Sequence, residues 1–460
     1  MPSTTTTTTD DQQQPPPPPL LHALATLTPP SAARTWMSAP HPTLPVVATA
    51  SSDRTVRVYS LASFALASTV AGGHKRSPNA GGGGSGMGES VLATGSFDAS
   101  AGIWRKWEGG ANRSGVLRAE GDVEGEDEEE EEDDEEWRFS VILDGHESEI
   151  KSVAWSASGQ FLATCSRDKS VWVWEEVEAD DGFETVAVLQ EHEADVKCVA
   201  WHPAEDVLAS ASYDDTIRLY REDVDDWTAV ACLAGHEATV WCVDFEAVEV
   251  SGLRVEEEGA ELPPLSEEVK AERAGLLRDR VASGSRLVSC SDDLTVRVWK
   301  MVPKDDDNDG AAAAAGGRNG MPSILRTSSI EEEWVQEAVL PRRHGRAIYS
   351  VSWSKKSGLI ASTGSDGKIV VYREQWRSRR DNGGGGGDGD AAAEEGEQKK
   401  EAQQSLTEWV VVAEVEGAHD VFEINHVAWA QRRDKGRTSE DEEVIISTGD
   451  DGEAKLWTLP

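Results

Sequence analysis

This sequence predicts an all-β fold: a seven-bladed β-propeller, closed into a ring. Three observations lead to that prediction. A strand motif occurs seven times, a histidine precedes six of the seven copies, and apolar and polar residues alternate over short segments between them. Internal repetition is the strongest of the three, because it fixes the architecture before any single element is assigned. Alternation with period two is typical of half-buried strands.

The repeated strand carries an Asp six residues before a Trp or Tyr. The seven copies are ATASSDRTVRVY (Asp53, Tyr59), ATGSFDASAGIW (Asp98, Trp104), ATCSRDKSVWVW (Asp168, Trp174), ASASYDDTIRLY (Asp214, Tyr220), VSCSDDLTVRVW (Asp293, Trp299), ASTGSDGKIVVY (Asp366, Tyr372) and ISTGDDGEAKLW (Asp451, Trp457). Each copy indicates one blade of the ring.

The remainder of each unit keeps a common spacing. The upstream histidines are His74, His146, His192, His236, His344 and His419. Val and an aromatic residue stand seven and nine residues after four of them, and in the last unit the pair moves by one, to Val427 and Trp429. Four strands per unit with this His-to-Trp spacing is the pattern of a WD40 blade.

The polar residues of each unit are predicted to form one hydrogen-bonded network inside the blade. The predicted members are His146, Thr164, Asp168 and Trp174 in the third unit, His192, Ser210 and Asp214 in the fourth, and His236, Ser289, Asp293 and Trp299 in the fifth. Buried polar groups need such partners. A His–Ser–Asp set also occurs in hydrolases, but a set that recurs blade after blade favours a structural role. Three units have Tyr in place of Trp, so we expect altered networks there.

Length and composition predict one domain with insertions. Seven blades of about 40–45 residues need only about 300, whereas the chain has 460 residues and a formal net charge of −41. Residues 1–19 are predicted to be a disordered tail and 20–460 a single propeller. The surplus is predicted to form disordered acidic and Gly-rich loop insertions at about 106–136, 246–282, 302–330 and 374–407, where insertions are tolerated.

The composition also excludes several classes of function. Strong acidity argues against a nucleic-acid or anionic-membrane surface, which needs clustered Lys and Arg. No apolar stretch approaches the ~20 residues of a membrane helix, and no signal peptide is visible. The five cysteines stand singly, without a C-x-x-C pair, as in a reducing compartment. We therefore predict no enzyme activity, no cofactor and no metal site.

The central part of the chain resembles a particular WD40 family. The segments LATCSRDKSVWVWE (162–175), LQEHEADVKCVAWHP (189–203), LASASYDDTIRLYRED (208–223) and GHEATVWCVDF (235–245) follow one another, and SCSDDLTVRVWK (289–300) and HDVFEINHVAW (419–429) come later. They resemble the WD40 protein of the cytosolic iron–sulfur protein assembly machinery.

That resemblance implies a non-enzymatic scaffold, a monomeric propeller within a hetero-complex. Its implied partners are a small bridging subunit, a large HEAT-repeat subunit and the client apoproteins that receive [4Fe–4S] clusters. The implied location is the cytoplasm, with the nucleus as a further compartment. The alternative is a generic WD40 adaptor, such as a ubiquitin-ligase substrate receptor or a chromatin or transcription scaffold.

Three residues are candidates for partner contact on the surface. Arg167 is the base that precedes a turn Asp, where the other units have Ser52, Phe97, Tyr213, Asp292, Ser365 and Asp450. Trp172 stands where four other copies have Arg or Lys. An Arg beside aromatic residues, here with Tyr213 on the next blade, is typical of interface anchors. The alternative is a surface Arg that balances local carboxylates.

The tripeptide Leu219-Tyr220-Arg221 is a second candidate. It resembles the leucine–tyrosine–arginine motif read by cluster-transfer co-chaperones, which makes Arg221 a candidate contact. Tyr220, however, occupies the aromatic position of its blade, and this favours a structural role for the tripeptide.

Two further expectations concern individual strands. Counting from His74 places Gly81 and Gly83 where Val and an aromatic residue should stand. We therefore expect that the inner strand of blade 2 is missing or poorly ordered, or that the gene model is wrong at this point. The chain ends soon after Trp457, without a fourth strand for the last blade. The apolar segment 20–27 is expected to supply it and thereby close the ring.

Overall fold

The computed structural model describes residues 18–72, 74–76, 78–81, 85–86, 89–107, 137–177, 182–223, 226–247, 267–303, 331–377 and 405–460. Over these residues the chain forms seven antiparallel sheets. Their innermost strands contact one another in a complete circle. The predicted seven-bladed β-propeller is therefore confirmed. Most of the predicted tail and of the four predicted insertions lies outside the described residues.

The first strand, β1 (His22–Thr26), belongs to the last blade, and each other blade runs outward in chain order. Blade 1 comprises β2 (Thr35–Pro40), β3 (Val46–Ser51), β4 (Thr55–Ser60) and β5 (Leu66–Ala71). Blade 2 comprises β6 (Pro78–Gly81), β8 (Glu89–Ser96), β9 (Ser100–Trp107) and β10 (Arg138–Asp144), with the two-residue β7 (Ser85–Gly86) also paired to β8.

Blade 3 comprises β11 (Ile150–Trp155), β12 (Phe161–Ser166), β13 (Val171–Val177) and β14 (Gly182–Leu189). Blade 4 comprises β15 (Val196–Trp201), β16 (Val207–Ser212), β17 (Thr216–Asp223) and β18 (Asp226–Ala234). Blade 5 comprises β19 (Val240–Phe245), β20 (Leu287–Ser291), β21 (Val296–Met301) and β22 (Trp334–Val339), with the helix α1 (Glu267–Ser283) between β19 and β20. Blade 6 comprises β23 (Ile348–Trp353), β24 (Ile360–Gly364), β25 (Ile369–Trp376) and β26 (Thr407–Val415). Blade 7 comprises β27 (Ile424–Gln431), β28 (Glu443–Gly449), β29 (Ala454–Thr458) and β1.

The hydrophobic core lies between the blades. Phe161 and Cys165 of blade 3, for example, pack in one cluster with Val199 and Trp201 of blade 4. The second strand of each of these blades is buried along its whole length, because both of its faces are covered by neighbouring sheets. Small residues such as Ala163 in these strands allow that close approach.

The N-terminal segment closes the ring, as predicted. β1 pairs with β29 in antiparallel register, and Leu21 and Leu27 on either side of β1 are buried. Leu27 N donates to Ala454 O at 2.9 Å. Ser31 N donates to the carbonyl of Gly452 at 3.0 Å. At Gly452 φ is +80° and an added Cβ would lie 2.5 Å from Ser31 O, so this seam requires glycine.

The inner position of blade 2 is occupied by a strand. β6 pairs with β8 over Pro78–Gly81, so the strand is not missing, although it is shorter than the other inner strands. Blade 3 approaches closely at this point. A Cβ added to Gly95 of β8 would lie 2.5 Å from Ile150 Cγ2. Because Gly95 has no side chain, the side chains of Ile150 and Val153 on β11 occupy the space next to its backbone.

Part of the interval 246–282 is folded, which corrects the prediction of a disordered insertion there. Residues 267–283 form α1, and Arg280 and Ser283 on it are buried. Arg280 forms an ion pair with Glu374 of blade 6. Next to it Arg286 Nε lies 2.8 Å from Glu246 Oε2. The helix is polar and is anchored by charge, so it lacks the apolar periodicity by which sequence analysis recognises an amphipathic helix.

Two other boundaries differ slightly from the prediction. β25 extends to Trp376 and β26 begins at Thr407, so strand residues occupy both ends of the predicted insertion at 374–407. Within the described part of the chain, no helix combines the length and apolar character needed to cross a bilayer.

We predict that deleting residues 1–30 lowers the melting temperature and promotes association, because β29 then exposes an unpaired edge. The matched control is deletion of residues 1–17, which leaves β1 and its contacts in place and should melt like the full chain. Differential scanning fluorimetry and size-exclusion chromatography measure the two effects. Identical melting of both truncations would show that β1 contributes nothing to ring stability.

Candidate functional site

A buried hydrogen-bonded network occupies blade 3, and it joins the four residues predicted from sequence. His146 Nδ1 lies 2.9 Å from Asp168 Oδ2, and His146 Nε2 lies 2.8 Å from Thr164 Oγ1. Trp174 Nε1 donates to the same Thr164 oxygen at 3.0 Å. The imidazole is therefore held between a carboxylate and a hydroxyl. It has no open side toward a substrate.

Asp168 is the centre of this network. One carboxylate oxygen accepts from Glu147 N at 2.9 Å, and the other accepts from Ser170 N at 2.9 Å. Burial alone would raise the pKa of Asp168, but hydrogen bonds from His146 and Ser170 outweigh it and hold that pKa well below its usual value. The carboxylate thus stays charged and ties the histidine loop to the turn between the second and third strands.

The same arrangement recurs around the ring. His192 bonds Asp214 at 2.8 Å and Ser210 at 2.7 Å. His236 bonds Asp293 at 2.8 Å and Ser289 at 2.7 Å, and Trp299 Nε1 donates to Ser289 at 2.8 Å. Blades 2, 6 and 7 have corresponding contacts around His74, His344 and His419. A set repeated in six blades is a building element of the fold.

Blade 1 replaces the histidine. Ser31 Oγ donates to Asp53 at 3.2 Å, and Arg57 Nη2 donates to the same carboxylate at 2.7 Å. Tyr59 directs its hydroxyl away from the network and donates to Pro29 O at 2.7 Å. The expected alteration at a Tyr blade is therefore present here, and the turn Asp still has partners.

These networks place the histidine loops and the Asp turns on one side of the disc, which we call the loop face. On this face each inner strand except that of blade 2 has a bulge at its second residue, where the strand register shifts. The bulged residues are Trp36, Lys151, Lys197, Trp241, Tyr349 and Asn425. Bulges redirect side chains, and here they bring residues of neighbouring blades together.

We call the six bulged residues, together with Phe97, Arg167 and Tyr213, the mouth belt. Lys197 Nζ lies 5.1 Å from the ring centre of Trp241, and Trp241 lies 5.1 Å from Tyr349. Lys151 Nζ lies 4.4 Å from the ring centre of Phe97, whose ring is 5.9 Å from that of Trp36. Cations thus lie against aromatic rings along the inner rim of the loop face.

Arg167 bridges blades 3 and 4 within this belt. Its side chain is 58% exposed, with Nη1 3.8 Å from Glu149 Oε1 and Nε 3.8 Å from Asp195 Oδ2. Tyr213 is also 58% exposed, and its backbone N donates to the carbonyl of Asp195. Arg167 therefore both balances local carboxylates and remains open to solvent, with an exposed aromatic residue nearby.

Trp172 has a different environment from its predicted companions. Its ring stacks on Trp174 at 5.3 Å and lies 5.2 Å from His146. Its Nε1 donates to Ser170 Oγ at 2.9 Å, and a Cβ added to Gly145 would lie 2.4 Å from the ring. Trp172 therefore packs beneath the loop that carries His146 and stabilises it, and it does not belong to the mouth belt.

The Leu219-Tyr220-Arg221 tripeptide lies at the far end of β17 from the Asp turn. Tyr220 is fully buried. Arg221 Nε lies 2.7 Å from Glu332 and Nη1 lies 2.8 Å from Glu205. Arg221 is thus engaged in two ion pairs that link blades 4 and 5.

Sequence analysis missed most of the mouth belt. The sequence signal for the six bulged residues is the second position of the inner strand, as in VKCVAW and VWCVDF. The pattern of Val and aromatic residues drew attention to the buried positions instead. In the described ranges, no cluster of three or more His, Cys, Asp or Glu residues is arranged to hold a metal ion.

Comparison with known proteins identifies both the repeat and the family. A family model described as WD domain, G-beta repeat matches residues 137–175, 183–221, 281–300 and 336–373. A Phaeosphaeria nodorum protein named probable cytosolic iron-sulfur protein assembly protein 1 is 57% identical over 452 residues, covering 95% of this chain and 96% of that protein. Proteins of the same name from Aspergillus terreus and Coccidioides immitis are 53% and 48% identical over 451 and 480 residues, again covering 95% of this chain, and 97% and 98% of their own lengths.

We predict that Asp168→Asn destabilises the protein at neutral pH by about 1–3 kcal/mol, because His146 and the turn amides lose a charged acceptor. The pKa of Asp168 is lowered by folding, so its contribution is present above the unfolded pKa of about 3.9 and is lost as pH falls below it. The difference in the free energy of unfolding between Asp168→Asn and the unsubstituted protein should therefore become smaller in acid.

Urea denaturation near neutral pH and again below pH about 4 measures both effects. Glu147→Gln is the matched control, because it removes an exposed carboxylate from the same loop and should unfold like the unsubstituted protein. Equal stability of Asp168→Asn and the control at neutral pH would contradict the network described above.

Proposed function

Because the chain belongs to the cytosolic iron-sulfur protein assembly protein 1 family of WD40 proteins, we propose that it is a non-enzymatic docking scaffold for cytosolic iron–sulfur protein assembly. On this proposal it brings a small bridging subunit, a large HEAT-repeat subunit and client apoproteins together, so that [4Fe–4S] clusters, as cargo, reach the clients. The observation that carries the proposal, beside family membership, is the mouth belt on the loop face.

The chemistry of the buried networks supports docking in preference to catalysis. A general base needs a free nitrogen within reach of a substrate. Both ring nitrogens of His146 and of His192 are within hydrogen-bond distance of protein oxygens. Each set also lies under its own loop, repeated from blade to blade. The histidines therefore stabilise the disc, and residues on the surface of the disc are the ones that can bind a partner.

The mouth belt has the composition of a protein-binding surface. Arg and aromatic residues are the commonest anchors in such interfaces, and here an exposed Arg167 and an exposed Tyr213 flank Asp195. The 3.8 Å contacts of Arg167 are weak at a surface. A partner carboxylate at hydrogen-bond distance would replace them with a stronger pair. We therefore propose an acidic partner segment at Arg167.

The proposed compartment follows from the same observations. The names of the relatives place iron–sulfur assembly in the cytosol. The five cysteines of this chain are free thiols, which fits a reducing compartment. We propose action in the cytoplasm, with access to nuclear clients as well. Family membership favours this function over a ubiquitin-ligase receptor or a chromatin scaffold.

We predict that Arg167→Glu folds normally but loses binding of a targeting subunit or a client apoprotein, because it puts a like charge against the acidic partner. Lys435→Glu is the matched control. It makes the same change of charge at an exposed lysine between the first and second strands of blade 7, on the opposite side of the disc. Circular dichroism, melting and pull-down from a host lysate are the measurements. Full binding by a folded Arg167→Glu protein would remove Arg167 from the docking surface.

We predict that Arg221→Ala lowers stability by about 1 kcal/mol and leaves co-chaperone binding intact, because Arg221 serves mainly to pair Glu332 and Glu205. Glu332→Gln is the matched control, since it weakens the same pair and retains the arginine. Both variants are compared by melting and by pull-down with a cluster-transfer co-chaperone. Loss of co-chaperone binding in Arg221→Ala alone would instead assign the tripeptide a recognition role.

A further inference from the structure

Two cysteine thiols meet across the junction of blades 4 and 5. Cys198 lies on β15 and Cys242 on β19, and their sulfur atoms are 3.9 Å apart. The two residues occupy equivalent positions on neighbouring inner strands, one residue after the bulge in each. Cys198 Sγ also lies 3.9 Å from Val243 O, so it sits against the adjoining strand.

We propose that Cys198 and Cys242 are a dithiol site, which hydroperoxides convert to a disulfide that joins blades 4 and 5. A disulfide has a sulfur–sulfur distance of about 2.05 Å, so the two sulfurs must approach by about 1.9 Å. Because they face each other from adjacent strands, small rotations about the side-chain bonds supply most of that movement.

The surroundings distinguish this pair from the other thiols. Cys198 is partly exposed, whereas Cys165 and Cys290 are fully buried. Cys232 is exposed but lies on β18, the outer strand of blade 4, away from the inner strands. Cys242 is buried as well, but it is 9% exposed against 0% for Cys165 and Cys290, and it adjoins Cys198, so a small oxidant reaches this pair first.

Hydrogen bonding favours Cys242 as the thiolate of the pair. The Cys198 thiol donates to Cys242 Sγ across 3.9 Å, and this hydrogen bond lowers the pKa of Cys242 against the opposing effect of burial. Burial and the neighbouring sulfur raise the pKa of Cys198, so Cys198 stays protonated. The thiolate is the nucleophilic form of cysteine.

The reaction then proceeds in two balanced steps. The Cys242 thiolate attacks one oxygen of the hydroperoxide, the O–O bond breaks, and a sulfenic acid forms as hydroxide or alkoxide leaves and takes up a proton. The Cys198 sulfur next attacks the sulfenic sulfur, the S–O bond breaks, and water leaves with the Cys198 proton. Two electrons pass from the two thiols to the peroxide.

The bond would lie directly beneath part of the mouth belt. Lys197 and Trp241 immediately precede the two cysteines and contact each other at 5.1 Å. A disulfide between β15 and β19 would therefore fix this sector of the loop face. Any effect on partner docking rests on the proposed function, whereas formation of the bond does not.

The test uses the full chain with Cys232→Ser, which removes the exposed thiol that would link two molecules. The folded protein is treated with hydrogen peroxide, alkylated, and analysed by intact mass and by peptide mapping without reduction. We expect a monomer that has lost two hydrogens, and a linked peptide pair that contains Cys198 and Cys242. Reduction with dithiothreitol should reverse both changes.

Single variants decide the assignment. Adding Cys198→Ser or Cys242→Ser should abolish the link, and adding Cys165→Ser should leave it unchanged. A link between Cys242 and Cys290, or a link that forms only in denaturant, would overturn the proposal. Persistent free thiols after peroxide treatment of the folded protein would also overturn it. If a serine variant fails to fold, the linked peptide in the Cys232→Ser protein decides alone.

Discussion

The hydrogen bond between a buried histidine and a turn aspartate is the interaction on which the rest of this structure depends. In blade 3 it joins His146 to Asp168 and so connects two loops whose bonded residues are 22 positions apart in the chain. The carboxylate also satisfies backbone amides of both loops. A buried charge is tolerable only with such partners. Because six blades repeat the contact, the loop face has a fixed geometry, and the mouth belt is assembled on it.

The sequence was sufficient for those parts of the fold that repeat. The spacing between His192 and Asp214 predicted their pairing, because blades 3, 4 and 6 all place the histidine 22 residues before the aspartate. The closing strand β1 was predictable because the C-terminal repeat supplies only three of the four strands of blade 7. The helix α1 was not, because Arg280 holds it through an ion pair to a residue 94 positions away. Contacts between Lys197 and Trp241 were equally hidden, since they arise between blades and obey no period within one.

Recognition and stability are separated within each blade. The histidine and aspartate are consumed by the buried network, whereas the residue directly before the aspartate is free to vary, from Arg167 in one blade to Tyr213 in the next. The bulged residue of each inner strand varies in the same way. A repeating scaffold can therefore carry a surface that does not repeat. WD40 propellers share the scaffold, and their surface residues distinguish one from another.

The seam between β1 and β29 has a consequence for how the protein is made. Synthesis is vectorial, so residues 22–26 leave the ribosome long before their partners at 455–458. β1 therefore has no strand partner until residues 455–458 have been made, and no nascent chain that stops short of Lys455 can complete the ring. Ring closure therefore depends on synthesis of both strands of this seam. Leu27 can take its place against the last blade only after Ala454 and Leu456 of β29 have been made.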